Sequence, residues 1–306
     1  MFKISGILVG FSLLFAQNSS DGVHHLNLAQ ADHQHTKLCS GFVEENTMQI
    51  PVGTLHKSLV NIPFAGGLTQ DQYNQVLDRV SALYTPIFQQ KGGVLKINRL
   101  WTNSTVNASA ERNGGTWNIN MYGGLARHPA ITMDGFALVA CHEMGHHIGG
   151  APKYRSFLSW ASNEGQSDYF ANLKCLREYF TQDNNVEVVA GLQVDSFARS
   201  SCEAQFSNPE EAAICMRGSV AGTSVSYLFQ ELRGETTAPK FDSPDTSVVR
   251  STNDNHPATQ CRMDTYFAGS LCTVSKNVDV DDRDPAVGSC YPSGIGARSF
   301  CWFKPN

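Results

Sequence analysis

The stretch Ala140-Cys141-His142-Glu143-Met144-Gly145-His146-His147-Ile148-Gly149-Gly150 contains the pattern His-Glu-x-x-His, and its reading decides how the rest of the chain is understood. The run before it, Met133-Asp134-Gly135-Phe136-Ala137-Leu138-Val139, reads as an apolar helix. Helical residues four apart share a face, one turn above the other. His142 and His146 therefore offer two imidazole nitrogens to one metal ion. Glu143 sits roughly 100° around the helix from His142, which places a carboxylate beside the metal, free to handle the proton of a water. That is the layout of a hydrolytic zinc site. An ordinary helix with surface histidines gives the same letters, so the pattern needs a third ligand.

Eighteen residues after His146 comes Asn163-Glu164-Gly165-Gln166-Ser167-Asp168-Tyr169-Phe170-Ala171. Pro152 lies between and should end the first helix. A second helix then runs through Leu173 and Leu176, with Glu164 and Asp168 on one face. If it packs antiparallel to the first, Glu164 meets the metal and Asp168 holds the far ring nitrogen of His142. Ligating histidines usually have such an acceptor, which fixes tautomer and orientation. The plainer alternative is an exposed i,i+4 polar pair.

These segments resemble the gluzincin class of metallopeptidases, and within it the CAAX prenyl protease and HtpX-like family. The Glu-x-Gln-Ser-Asp-x-Phe-Ala run from Glu164 is similar to that family's third-ligand helix. Val106-Asn107-Ala108 and Gly114-Gly115-Thr116-Trp117-Asn118-Ile119-Asn120 are similar to its paired strands. His256-Pro257-Ala258-Thr259-Gln260-Cys261-Arg262-Met263 is similar to its His-Pro-x-x-x-x-Arg segment. The likeness covers roughly residues 68–271 and is patchy between motifs. It implies an α+β, zincin-like fold: a small mixed sheet, an active-site helix and a mostly helical C-terminal part. It also implies one catalytic zinc ion and a peptide or protein substrate. By the same resemblance Arg262 anchors the third-ligand helix by pairing with a carboxylate, and His256 lines the cleft as a second catalytic residue. Two departures stand. The gap between second and third ligands is short for the family, and its membrane helices are absent, so lipidated-peptide processing does not carry over.

Residues 1–16 are short and apolar with Lys3 near the start, as expected of a secretory signal peptide rather than a spanning helix. An exported chain, periplasmic or secreted, follows. The net charge of −5 and the lack of a basic cluster argue against nucleic acid. No other apolar run reaches transmembrane length, and no partner protein is evident. Residues 17–65 are polar and weakly periodic, with His24, His25, His33 and His35. A solvated arm, a short propeptide or an accessory metal site all fit them. Residues 66–275 are expected to form the metallopeptidase domain and 276–306 a disulfide-containing tail.

Nine cysteines in an exported chain imply disulfides with one thiol left over. Cys202 and Cys215 flank a turn and could pair, as could Cys290 and Cys301. Cys261 and Cys272 are separated by helix, roughly 16 Å, too far for a bridge, so each needs another partner. Cys141 is the candidate free thiol.

Tyr73, Val76, Leu77, Val80, Leu83 and Tyr84 recur at helical spacing behind Thr69, a good cap. Strands are expected over Val94–Trp101, Val106–Glu111 and Thr116–Met121, the last two joined at Asn113-Gly114-Gly115. The last strand is expected at the edge nearest the metal, with Asn118 and Asn120 as substrate-binding positions for a peptide added by main-chain hydrogen bonds. Helices are expected over Val186–Phe197 and Glu210–Leu232, and again from His256-Pro257 onward. The acidic run from Asp279 to Asp284 is of a kind usually solvated. The expected chemistry has Glu143 accept the proton of the attacking water and pass it to the leaving nitrogen. His256 or a tyrosine such as Tyr169 is the donor to the developing oxyanion. Three other readings stay open: a periplasmic assembly or quality-control factor with a latent peptidase, a non-catalytic zinc-binding protein, and a hydrolase of non-peptide amides.

Overall fold

A computed structural model describes residues 41–155 and 158–305. The expected signal peptide, the four N-terminal histidines and Cys39 lie outside the described residues.

Helix α1, Gln70–Gln90, starts where Thr69 and Gln72 cap each other reciprocally, and it buries Tyr73, Val76, Leu77, Val80, Tyr84 and Phe88. Strand β1, Val94–Leu100, follows. Strands β2, Ala108–Asn113, and β3, Thr116–Tyr122, form a hairpin around Gly114-Gly115, where Gly114 has φ of +57°. The sheet order is β1-β3-β2, with β1 parallel and β2 antiparallel to β3. The expectation that β3 is an edge is therefore corrected. Once β1 pairs with the far side of β3, both sides of β3 are used, and β1 and β2 are the edges.

Helix α2, Met133–Ile148, is capped by Thr132 and is buried from Gly135 to its end. A helix apolar nearly all round belongs in the centre of a core, and α2 packs against α1, the sheet and the helices that follow. It ends before Gly149-Gly150 and Pro152. Helix α3, Glu164–Phe170, is capped by Asn163. It continues through a π-helical turn, Ala171–Cys175, into α4, Leu176–Phe180. Gly145 lets α2 and α3 meet: a Cβ there would lie 3.0 Å from the Ser167 Cα. The single expected helix over Val186–Phe197 is two, α5 Asn185–Ala190 and α6 Ser196–Gln205, broken at Gly191. Helix α7, Pro209–Leu232, has Asn208 as cap and Pro209 in its first turn. Helix α8 spans Thr259–Leu271, opening just after His256-Pro257.

Four disulfides join Cys141–Cys175, Cys202–Cys215, Cys261–Cys301 and Cys272–Cys290. Two expectations are corrected. Cys141 is bridged to the π-helical turn, and Cys290 pairs with Cys272 rather than Cys301. Cys261 and Cys272, near the two ends of α8, both reach the tail. The tail is not peripheral. Trp302 is fully buried against Gly165, where an added Cβ would meet its ring at 2.2 Å. Arg298 donates to the Gln166 side chain (2.7 Å). The tail thus braces α3 beside its first residue. At the start of the described chain Phe42 and Ile50 are fully buried in the main core. Among the described residues no helix is long and apolar enough to cross a membrane. The four disulfides fit an oxidising compartment.

Candidate metal centre

α2 and α3 run antiparallel, so increasing numbers on one face decreasing numbers on the other. His142 lies opposite Asp168, and His146 lies opposite Glu164 and Ser162. His142 Nε2 is 3.3 Å from Glu164 Oε2, and His146 Nε2 is 3.8 Å from Glu164 Oε1. Ligand atoms of the three residues lie within 4.8 Å of one another, and all three are buried. Both Nε2 atoms and Glu164 Oε2 have no hydrogen-bond partner, and neither has either oxygen of the fully buried Glu143. Orphaned buried polar atoms are costly. Here those of two imidazoles and the Glu164 carboxylate converge, as a cation would require.

The remaining nitrogens are set for that role. His142 Nδ1 donates to Asp168 Oδ1 (2.7 Å), and His146 Nδ1 donates to the Ser162 carbonyl (2.8 Å). Each histidine thereby has its Nδ1 occupied, so Nε2 is the nitrogen left to ligate once it is unprotonated. Asp168 is itself saturated. Arg262 donates from Nε to Oδ2 and from Nη2 to Oδ1, both at 2.8 Å, and the Tyr266 hydroxyl donates to Oδ1 (2.6 Å). Burial alone would raise the Asp168 carboxyl, but the charge of Arg262 and the bonds from His142 and Arg262 hold it below its ordinary value. Arg262 Nη1 reaches the Phe42 carbonyl (2.8 Å), and its guanidinium lies over the Phe42 and Phe229 rings. Phe42 meets the His142 ring edge-on, 5.0 Å between centroids.

Burial pushes Glu143 up to about 8, against the opposing charge of His142. Burial would raise Glu164 as well, but the neighbouring His256, His146 and His142 hold it well below the usual carboxylate range. His256 Nε2 is 3.2 Å from Glu164 Oε2 and 2.7 Å from the Gly41 carbonyl. The Tyr154 hydroxyl donates to Glu164 Oε1 (2.7 Å).

The predicted residues His142, Glu143, His146, Glu164, Asp168, Arg262 and His256 are brought together. Tyr169 is not among them: its hydroxyl donates to the Gly296 carbonyl within the tail cluster. Asn118 and Asn120 are also displaced from the expected role. Asn120 is tied across the sheet to Asn98 and Ser109, and the Asn118 carbonyl is bonded by His147. His147 itself stacks between Trp117 and Trp160, turned away from the cluster. Tyr154, Ser162, Tyr266 and Phe42 belong to the site without having been predicted.

Two other groups of potential ligands fail on chemistry. His56, His128 and Glu231 converge, but the Ala130 N–H donates to His128 Nδ1 (3.1 Å). A neutral His128 then carries its proton on Nε2, which faces Glu231 Oε2 at 3.5 Å. That is the reverse of what ligation by Nε2 needs. Asp245 lies near Cys261 and Cys301, whose sulfurs are bonded to each other.

Comparison of the chain with protein-family models, with curated proteins and with solved structures gives no match.

Proposed function

We propose that the chain is a zinc-dependent metalloendopeptidase, related to the gluzincins through the motifs that it resembles. The observation that carries this is the convergence of His142 Nε2, His146 Nε2 and Glu164 beside a fully buried Glu143 that has no partner of its own. Two histidines and a glutamate are a donor set suited to catalytic zinc, which leaves one position open.

A bound zinc ion supplies Lewis acidity to a water and to the scissile carbonyl. The chain's own residues do the rest. Glu143 takes the proton of the attacking water and returns it to the leaving nitrogen; in the metal-free site burial raises its proton affinity. His256, within reach of Glu164, would donate to oxygen charge that develops in the cleft, giving up its bond to the Gly41 carbonyl. Asp168 orients His142, and Arg262 fixes Asp168.

Main-chain recognition favours a peptide substrate. Ser109, Glu111 and Asn113 bond to β3, so the N–H and C=O groups of Ala108, Ala110 and Arg112 face outward from β2. Ala108 is taken by Phe42. No backbone hydrogen bond among the described residues reaches Ala110 or Arg112 from outside the sheet, although Ala110 is buried beside Tyr154, Leu158 and Ala161, so an extended chain would pair there only by displacing that cover. This edge replaces Asn118 and Asn120 as the expected recognition element. The test is Glu143→Gln with unfolded casein as substrate: turnover should disappear while one zinc per chain is retained. Full proteolysis by the variant would overturn the general-base assignment.

A further inference from the structure

A cavity of about 570 Å³ opens where the β2–β3 hairpin meets the C-terminal end of α2, with Lys91, Arg112, Trp117, His147, Lys153 and Trp160 in its walls. His142, Glu143, His146 and Glu164 do not line it. Arg112 and Trp117 are partners across the hairpin, so their side chains leave the same face of the sheet. Trp117 is a fixed wall: its ring lies so close to Gly93 that a Cβ there would meet it at 2.3 Å. The Arg112 guanidinium lies over that ring, 3.8 Å from its centroid, and over the Trp160 ring at 4.6 Å. The His147 ring stacks on the same two indoles. The guanidinium is thus held between aromatic faces, and a further partner can reach it only along its edge.

That edge is only partly used. Arg112 Nη2 donates to the His147 carbonyl (3.0 Å) at the end of α2, and Nε lies 3.4 Å from His147 Nδ1. Among the described residues Nη1 has no hydrogen bond, and no carboxylate forms an ion pair with the group. Arg127 and Arg298 also lack a carboxylate partner, yet each bonds through Nε, Nη1 and Nη2. A desolvated charge without a counter-charge is costly, and burial pulls the Arg112 guanidinium down to about 10, against the opposing charge of Asp282. The nearby acids are engaged elsewhere. Asp282 pairs with Lys153 Nζ (2.8 Å), and Asp281 accepts the N–H groups of Arg283 and Asp284 in its own turn. Lys91 Nζ stands 3.4 Å from Asp279.

We propose that this cavity is a carboxylate-binding site, in which the Nη1 side of Arg112 takes the carboxylate edge-on with Lys153 and Lys91 beside it. A carboxylate accepts from a guanidinium in the guanidinium's own plane, which is the approach that the two indoles leave open. It supplies the counter-charge that Arg112 lacks. Ile148 and Val280 line the same cavity and give an aliphatic stem an apolar wall, an advantage that phosphate, which has no stem, cannot use. Two sources present this group: the acidic side chain of a peptide, and a free small dicarboxylate. The site stands apart from the metal centre, and its occupancy does not depend on the peptidase reading.

The test uses the full zinc-loaded chain carrying Glu143→Gln, so that no peptide is consumed. Its indole emission, to which Trp117 and Trp160 contribute, is titrated with acetyl-Ala-Glu-Ala-amide, acetyl-Ala-Gln-Ala-amide, glutarate and inorganic phosphate. Expected is a saturable change in which the Glu peptide binds about tenfold tighter than the Gln peptide, or glutarate about tenfold tighter than phosphate, and in which Arg112→Gln weakens that binding about tenfold, the scale of a lost charged hydrogen bond. A Glu peptide that binds about tenfold tighter than glutarate identifies a peptide side chain as the source; glutarate binding as tightly identifies a free acid. The comparison of Glu with Gln peptide leaves the pocket untouched, so it decides the matter even where Arg112→Gln does not fold. A Glu peptide no tighter than its Gln counterpart together with glutarate no tighter than phosphate would overturn the proposal. So would binding undiminished by Arg112→Gln, which would place the carboxylate on the zinc instead and leave the metal-centre reading intact.

Discussion

Replacing Arg262 by methionine tests how the site is held. Arg262 is fully buried, donates twice to Asp168 and once to the Phe42 carbonyl, and lies between two aromatic rings. Methionine fills similar space but leaves the Asp168 carboxylate buried without its counter-charge. Breaking one side of a buried pair costs about 3–5 kcal/mol. At roughly 2–3 °C per kcal/mol for a domain of this size, Tm should fall by about 6–15 °C. Asp168 then recovers by taking up a proton, and a neutral acid holds His142 Nδ1 less firmly. Loss of such a partner costs about 10–100-fold in metal affinity. The double variant Asp168→Asn/Arg262→Met removes both charges, so it should regain part of the lost stability while staying weak for metal. Differential scanning calorimetry of the metal-free proteins and zinc titration against a competing chelator would measure the two effects separately. If Arg262→Met melted within 2–3 °C of wild type and bound zinc as tightly, given that a buried pair carries several kcal/mol, the account of Asp168 as an oriented carboxylate would be wrong.

Other outcomes follow from the same geometry. In the metal-free protein burial would lower His142, but the charge and hydrogen bond of Asp168 prevail and push it up to about 9. Its Nε2 therefore carries a proton that the metal must displace, and zinc affinity should rise roughly tenfold per pH unit between pH 6 and 8 and flatten above about 9; chelator competition across that range would check it, and a flat profile would refute it. Tyr154→Phe removes the donor to Glu164 Oε1 and should weaken zinc binding several-fold, on the order of 1 kcal/mol, as read by the same competition. His128→Ala should leave the zinc content at one per chain by metal analysis, because that histidine accepts the Ala130 N–H on the nitrogen that a ligand would need for donating.

The parts of the site that were legible in the sequence are those fixed by local spacing. His142, Glu143 and His146 share one helix, and Glu164 and Asp168 share another, so helical periodicity alone places each set on a face. Thr69 and Asn208 were legible as caps for the same reason. What escaped was non-local. Tyr154 lies in the loop between the two helices, Tyr266 is one aromatic among many on α8, and Phe42 arrives from a stretch with too few apolar residues to show a period. The strand order escaped because a hairpin predicts which strands are neighbours but not on which side a third will pair. Cys141, expected as the free thiol, instead reaches Cys175 on the π-helical turn, a partner 34 residues on that no local spacing reveals. Cys290 and Cys301 are close in sequence, yet the ends of α8 claim them separately.

The C-terminal brace has a consequence for where this centre comes into being. Glu164 opens α3, and the next residue, Gly165, is pressed on by Trp302, whose neighbour Cys301 is tied to α8. The third metal-binding side chain is thus seated by a covalent tie that closes only where thiols are oxidised. In a reducing environment the chain lacks that tie, so Glu164 would be seated less firmly there than where the four disulfides can close.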